Sequence, residues 1–157
     1  DTMERKSKML TIRPMASGDR DAVMAMVTDF YHSPAVEHQV DPAILERAFW
    51  DAVDPAQPLI EGLLLLEEDA PVGYCYLTWG YASEMGGKVL IFDELYFKDS
   101  CRGKGYGSQV FRRVMAEHPE CRRFRLEVTG ANEGAARLYE RLGFRFLQYN
   151  QMVLDGE

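Results

Sequence analysis

The sequence lacks the features of a membrane, metal-binding or disulfide-rich protein. No unbroken apolar run approaches the ~20 residues of a transmembrane helix. The three cysteines form no Cys-x-x-Cys pair, and the three histidines are scattered, so neither a metal site nor a redox pair is predicted. A charged N-terminus without a following apolar stretch predicts no secretory signal. These absences favour a cytoplasmic protein with reduced thiols.

Basic residues are fewer than acidic ones, 18 against 25, and the net charge is −7. An acidic surface disfavours binding to nucleic acid and attracts cationic ligands such as amines. The charge does not identify a substrate, but it favours amines and predicts no nucleic-acid partner, and the lack of a long apolar run predicts no membrane. The sequence leaves the oligomeric state open, and a homodimer is one expectation.

The length of 157 residues predicts one domain spanning residues 1–157. Residues 1–8, which precede the first predicted strand, are expected to be disordered or added sequence. Hydrophobic periodicity predicts the order β-α-α-β-β-β-α-β-α-β-β, with the last two strands at 144–148 and 151–154. Hairpin strands that precede a β-α-β unit indicate an α/β fold with a mixed sheet.

A glycine-rich segment follows a buried strand and opens a helix, reading Arg-Gly-Lys-Gly-Tyr-Gly-Ser over residues 102–108. Glycines allow close backbone approach, and the amides at a helix N-terminus bind phosphate oxygens. A turn with no ligand is the alternative interpretation. The spacing matches neither the P-loop nor the dinucleotide fingerprint. The candidate phosphate-binding residues are Arg102, Gly103, Lys104, Gly105, Tyr106, Gly107 and Ser108.

A second segment begins at Asn132 and continues through a predicted helix containing Tyr139 to a capping glycine, Gly143. Taken alone, these are an N-cap, a core aromatic and a C-cap. Together with the glycine-rich segment about 25 residues earlier, the pattern resembles the GNAT superfamily of acetyl-CoA-dependent N-acetyltransferases. The resemblance covers essentially the whole chain, and it is strongest over residues 92–144 and weak before residue 60. It implies a central, mostly antiparallel sheet that splays between the fourth and fifth strands, with helices on both faces.

The resemblance also implies roles for individual residues. The amides of residues 103–108 would hold the coenzyme A pyrophosphate, and the backbone of Tyr96 and Phe97 would pair with the pantetheine arm. Asn132 would contact the end of that arm. Tyr139 would protonate the departing thiolate as general acid.

The general base is expected at Asp93 or Glu94, on the strand that leads into the splayed region. Their side chains lie on opposite faces of a regular strand. Asp93 is favoured because several small-molecule members of the family carry an acidic base at the corresponding position, nine residues before Arg102. Glu94 is the second choice, and a purely structural role for either residue stays open.

The acceptor is predicted to be a primary amine on a small cationic molecule, attacked directly in a ternary complex. Aromatic faces beside carboxylates suit such a cation, and the candidate residues are Tyr31, His32, Trp79 and Glu84. Acetylation of a protein or peptide is the first alternative. A non-catalytic module that senses acyl-CoA is the second, and a scaffold that binds another nucleotide is the third.

Overall fold

A computed structural model describes residues 9–36, 38–128 and 133–156. The chain forms two compact units, the first ending at Glu127 and the second starting at Val128. The first unit contains the sheet and three α-helices, and the second contains one α-helix. The prediction of a single domain stays a prediction.

The sheet of the first unit has five strands in the order β1-β2-β3-β4-β5. Neighbouring strands are antiparallel except β4 and β5, which are parallel. This mixed sheet confirms the predicted fold class. The strands are β1 (Thr11–Pro14), β2 (Ile60–Glu67), β3 (Ala70–Ala82), β4 (Gly87–Phe97) and β5 (Arg123–Leu126).

Helices cover both faces of the sheet. On one face, α1 and α2 pack on β2 and β3 through a buried cluster that includes Val23, Phe49 and Tyr74. On the other face, α3 packs on β4, with the rings of Phe111 and Phe92 4.4 Å apart. The helices are α1 (Arg20–Tyr31), α2 (Pro42–Val53), α3 (Tyr106–Glu117) and, in the second unit, α4 (Glu133–Arg141).

Local sequence signals explain where the helices begin and end. The Asp41 carboxylate accepts a hydrogen bond from the Ala43 amide at 2.9 Å, and proline at the first helical position starts α2. Asp19, in contrast, leaves α1 uncapped and pairs with Arg13 at 2.8 Å. At the end of α4, Gly143 adopts a φ of +99°, which glycine tolerates without strain.

The two strands predicted after α4 are wrong. Residues 144–148 and 151–154 have no strand structure, although their apolar residues alternate as strand residues do. Alternation satisfies only one requirement, because a strand also needs a neighbour that accepts its backbone hydrogen bonds. Among the described residues, no strand pairs with these segments.

The described part of the chain contains no helix that is long and apolar enough to cross a membrane. It also contains no group of three metal-ligating side chains. Cys75, Cys101 and Cys121 are all free thiols. A cytoplasmic location stays a prediction.

Candidate active site

A β-bulge in β4 determines which way the candidate acidic residues point. Across the β3–β4 pair, Glu94 lies opposite Tyr76 and Phe92 lies opposite Leu77, so Asp93 is the extra residue. Consecutive residues of a strand face opposite sides. Glu94 therefore lies on the α1 face with Tyr76, while Phe92 lies on the α3 face with Leu77.

Glu94 is held by two tyrosine hydroxyls. Tyr31, at the end of α1, donates to Oε2 at 2.7 Å, and Tyr74 of β3 donates to Oε1 at 2.8 Å. Burial raises the pKa of the Glu94 carboxyl, although the two hydrogen bonds oppose the rise. The result is an anchored, partly buried carboxylate with aromatic walls, a suitable environment for a cation.

Asp93 lies where β4 and β5 separate. The last pair of the parallel ladder joins Phe92 and Leu126, whereas β4 continues to Phe97. Asp93, the next residue of β4, is exposed to solvent. Desolvation by the surrounding chain raises the pKa of its carboxyl, and the charge of Glu127 raises it further. A carboxylate with a raised pKa at the mouth of a splayed sheet has the properties of a general base.

The splay leaves one edge of β4 unpaired by β5 over residues 93–97, within the described part of the chain. On the other edge β3 approaches closely, since a Cβ on Gly73 would collide with the Tyr96 carbonyl oxygen. The Tyr96 side chain is buried between Phe30 and Tyr74. The backbone of Tyr96 and Phe97 thus lies on a strand end that has an open edge.

The glycine-rich segment leads into α3 by two left-handed residues, Gly103 at φ +77° and Gly105 at φ +78°. Gly105 is the N-cap of the helix, and no side chain caps the first turn. The amides of a first helical turn have no acceptor within the helix. The amides of Tyr106, Gly107 and Ser108 therefore lack an acceptor within the helix, the arrangement with which helix N-termini can bind anions.

Side chains fix this segment to its surroundings. The Tyr106 hydroxyl donates to the Glu67 carboxylate at the end of β2, and Lys104 pairs with the same carboxylate at 3.2 Å. Arg102 donates to the Phe97 carbonyl at 3.3 Å and pairs with Asp99 at 2.8 Å. Both cations remain partly exposed, so they stay available to an anionic ligand.

Two candidates belong to other parts of the chain. Tyr139 lies on α4 of the second unit, where its ring is 6.3 Å from that of Phe144. Asn132 lies outside the described residues.

The predicted substrate residues do not all come together. Tyr31 joins Glu94, and His32 follows it as the exposed C-cap of α1. Trp79 lies on the α3 face, where its ring is 4.9 Å from that of His118. Glu84 is at the β3–β4 connection, paired with Arg123. The structure therefore brings neither Trp79 nor Glu84 to the acidic pair.

Sequence reasoning missed Tyr74 and Tyr76, which face Glu94 from β3. The signal was present, because the alternation Tyr-Cys-Tyr over residues 74–76 places both rings on one face of a strand. Recognising them required the register of β3 against β4, which depends on the bulge.

The site thus combines a strand that separates from its parallel neighbour with a glycine-rich helix start. The profile of the acetyltransferase (GNAT) family matches residues 22–144, and the chain belongs to this family. It is an acetyl-CoA-dependent N-acetyltransferase.

Relatives of known sequence and structure agree. Over 145 residues the chain is 27% identical to a thialysine N-ε-acetyltransferase of Sus scrofa. The aligned region covers 87% of this chain and 84% of that protein. A possible acetyltransferase from Clostridium difficile 630 has the same fold, with a TM-score of 0.78, 18% identity, and coverage of 95% and 99% of the two chains.

A predicted acetyltransferase from Clostridium acetobutylicum, solved with acetyl-CoA, gives a TM-score of 0.74 at 15% identity. The match covers 93% of this chain and 96% of the other. At this identity the likeness concerns the fold.

Proposed function

We propose that this enzyme acetylates a primary amine of a small cationic molecule by direct attack in a ternary complex. The observation that carries the proposal is the placement of two neighbouring carboxylates. One bulge puts Asp93 at the splay and Glu94 on the tyrosine-lined face. The net charge of −7 favours a cationic acceptor. The thialysine acetyltransferase of Sus scrofa is, by its name, an enzyme that acts on a small amine.

The donor site consists of the glycine-rich segment and the end of β4. The amides of residues 103–108 bind the pyrophosphate, with Arg102 and Lys104 supplying positive charge. The backbone of Tyr96 and Phe97 binds the pantetheine arm along the open edge of β4 and polarises the thioester carbonyl.

The two carboxylates divide the work on the acceptor. Glu94, which is fixed by Tyr31 and Tyr74, holds a cationic group of the substrate. Asp93, at the splay, takes the proton of the reacting amine through a water molecule. This division agrees with their surroundings, because Glu94 already accepts two hydrogen bonds whereas Asp93 keeps an exposed edge.

The transfer then balances as follows. The amine nitrogen forms a bond to the thioester carbon, the carbon–sulfur bond breaks, and Asp93 takes the amine proton and later releases it to solvent. Tyr139 gives its proton to the departing thiolate and is later reprotonated from solvent. The products are the N-acetyl amine and coenzyme A.

The first experiment is thermal unfolding with acetyl-CoA, ATP or NAD. A ligand that binds only the folded state adds about 2.7 kcal/mol of stability at ~100 times its Kd, which raises the Tm by several degrees. We expect a shift with acetyl-CoA alone.

Thiol release is then measured with thialysine, cadaverine, an N-terminal peptide and no amine. Release only with the peptide would contradict a small acceptor, and binding without release would indicate a sensor.

A further inference from the structure

The Tyr76 hydroxyl is buried and has no hydrogen-bond partner among the described residues. The residue is only 2% exposed. A buried hydroxyl without a partner loses its hydration and gains nothing in return, which makes such groups rare in folded proteins. Because Tyr76 lies opposite Glu94 across the β3–β4 pair, its hydroxyl is placed to contact a ligand of that carboxylate.

Three tyrosines surround Glu94, and they are used differently. Tyr31 and Tyr74 each donate to one carboxylate oxygen. Tyr76 is directly opposite Glu94 across the β3–β4 pair, and its ring is 5.2 Å from that of Tyr74. Its hydroxyl nevertheless makes no bond to the carboxylate. Burial, followed by the charge of Glu94, raises the pKa of this hydroxyl, so it stays neutral and offers both a lone pair and a proton.

Exposure indicates the direction from which a ligand reaches this group. Tyr74 and Tyr76 are almost fully buried, whereas Tyr31 and Glu94 are only partly so. A cation coming from solvent therefore meets Tyr31 and Glu94 before Tyr76. Tyr76 is more deeply buried than Tyr31 and Glu94.

We propose that the Tyr76 hydroxyl accepts a hydrogen bond from the ammonium group that Glu94 holds, and that it selects a primary ammonium at this point. The inference rests on the proposed function. A primary ammonium has three N–H donors and can serve Glu94 and Tyr76 together, whereas a trimethylammonium has the charge but no donor. The preferred acceptor thus carries two nitrogen groups, one that is acetylated and one that is held as a primary ammonium.

The test compares two substrates that differ only in the held group. The first is thialysine or cadaverine, whichever the wild type acetylates faster, and the second is the same molecule with that ammonium trimethylated. The preference is the ratio of their kcat/KM values. We expect Tyr76→Phe to lower this preference by about 10-fold or more, the effect of losing one hydrogen bond to a charged donor.

Two further variants separate this role from a general disturbance. Tyr74→Phe removes a donor from Glu94 and should weaken both substrates alike, leaving the preference unchanged. Tyr81→Phe removes a hydroxyl from an exposed residue of the same strand and should behave as wild type. Because Tyr76→Phe removes a buried group with no partner, its Tm should not fall.

Each result decides the matter. An unchanged preference in Tyr76→Phe, with normal turnover, would overturn the inference and assign the hydroxyl to a buried water, while the proposed function would stand. If thiol is released only with the peptide, the small-amine function itself fails, and the role of Tyr76 fails with it.

Discussion

Phe92 and Glu94 lie two residues apart on β4, yet their side chains occupy opposite faces of the sheet because Asp93 is a bulge residue between them. Phe92 packs on Phe111 of α3, and Glu94 binds the hydroxyl of Tyr31 from α1. In a regular strand the two side chains would share a face. One extra residue therefore places the apolar side chain of Phe92 and the carboxylate of Glu94 on opposite faces, since a bulge redirects the side chains that follow it.

Replacement of Asp93 by asparagine should lower kcat by about 100-fold or more, the usual contribution of a general base. Acetyl-CoA binding should persist, as judged by the thermal shift. The matched control is Asp69→Asn in the β2–β3 turn, where φ is +66° and asparagine is well tolerated. Equal turnover in the two variants would contradict the role of Asp93.

The pH dependence of kcat provides a second test of Asp93. Desolvation and Glu127 raise the pKa of this carboxyl, so the acid limb should lie above the usual range of aspartate. Activity should fall as the pH drops through that raised pKa, because only the carboxylate accepts a proton. Asp93→Asn should lack this limb, whereas Asp69→Asn should keep it.

Glu94 should cost stability at neutral pH. Its pKa is raised in the folded state, so the folded chain binds more protons than the unfolded chain above the ordinary glutamate pKa. Wild-type stability should therefore decline as the pH rises through this window. Glu94→Gln removes that dependence. The Tm of the variant minus the Tm of wild type should therefore be larger at pH ~7 than at pH ~4.5.

Glu46→Gln is the control for this pH effect. The hydrogen bond from Arg20 lowers the pKa of Glu46, so the stability linked to this group is lost only when the pH falls through the lowered value. Its Tm relative to wild type should stay constant over the range in which that of Glu94→Gln changes. A constant difference for Glu94→Gln as well would show that its carboxyl is not desolvated.

Much of the fold was predictable from local patterns. The order of strands and helices predicted from hydrophobic periodicity matches the structure from β1 to α4. The two strands predicted after α4 were wrong, because a pairing partner is a property of the whole fold and leaves no local signal.

The candidate site was predictable only in part. The glycine-rich segment is continuous in sequence, so its left-handed glycines and its helix start follow from local chemistry. The grouping of Tyr31, Tyr74 and Glu94 depends on long-range register and on a one-residue bulge. Neither can be read from residue spacing, which explains why Tyr74 and Tyr76 were missed.

Two glycines with the same backbone conformation allow binding to be separated from strain. Gly105 has a φ of +78° and Gly86 a φ of +67°, and neither has a neighbour that a Cβ would strike. Valine at either position should cost about 1–3 kcal/mol, because β-branched residues avoid this conformation. The Tm in the absence of ligand should fall by a similar amount in both variants.

Acetyl-CoA should distinguish the two valine variants. Gly105→Val places a branched side chain at the N-cap of α3, where the pyrophosphate is expected, and should abolish the thermal shift. Gly86→Val lies at the β3–β4 connection and should keep it. A retained shift in Gly105→Val would remove the glycine-rich segment from the donor site.

Tyr139→Phe tests the proposal that Tyr139 protonates the departing thiolate. The variant keeps the ring, and with it the contact to Phe144 in the second unit, but loses the proton. We expect kcat to fall by about 100-fold, within the range for general acid catalysis, while the acetyl-CoA thermal shift stays as in wild type. Tyr81→Phe, which removes a hydroxyl from an exposed residue, is the control.

Because a thiol with a lower pKa leaves without help, an activated aryl thioester should restore much of the rate that Tyr139→Phe loses. Normal turnover of acetyl-CoA by Tyr139→Phe would assign the proton to another donor, and a loss that the aryl thioester does not rescue would indicate a structural role for the hydroxyl.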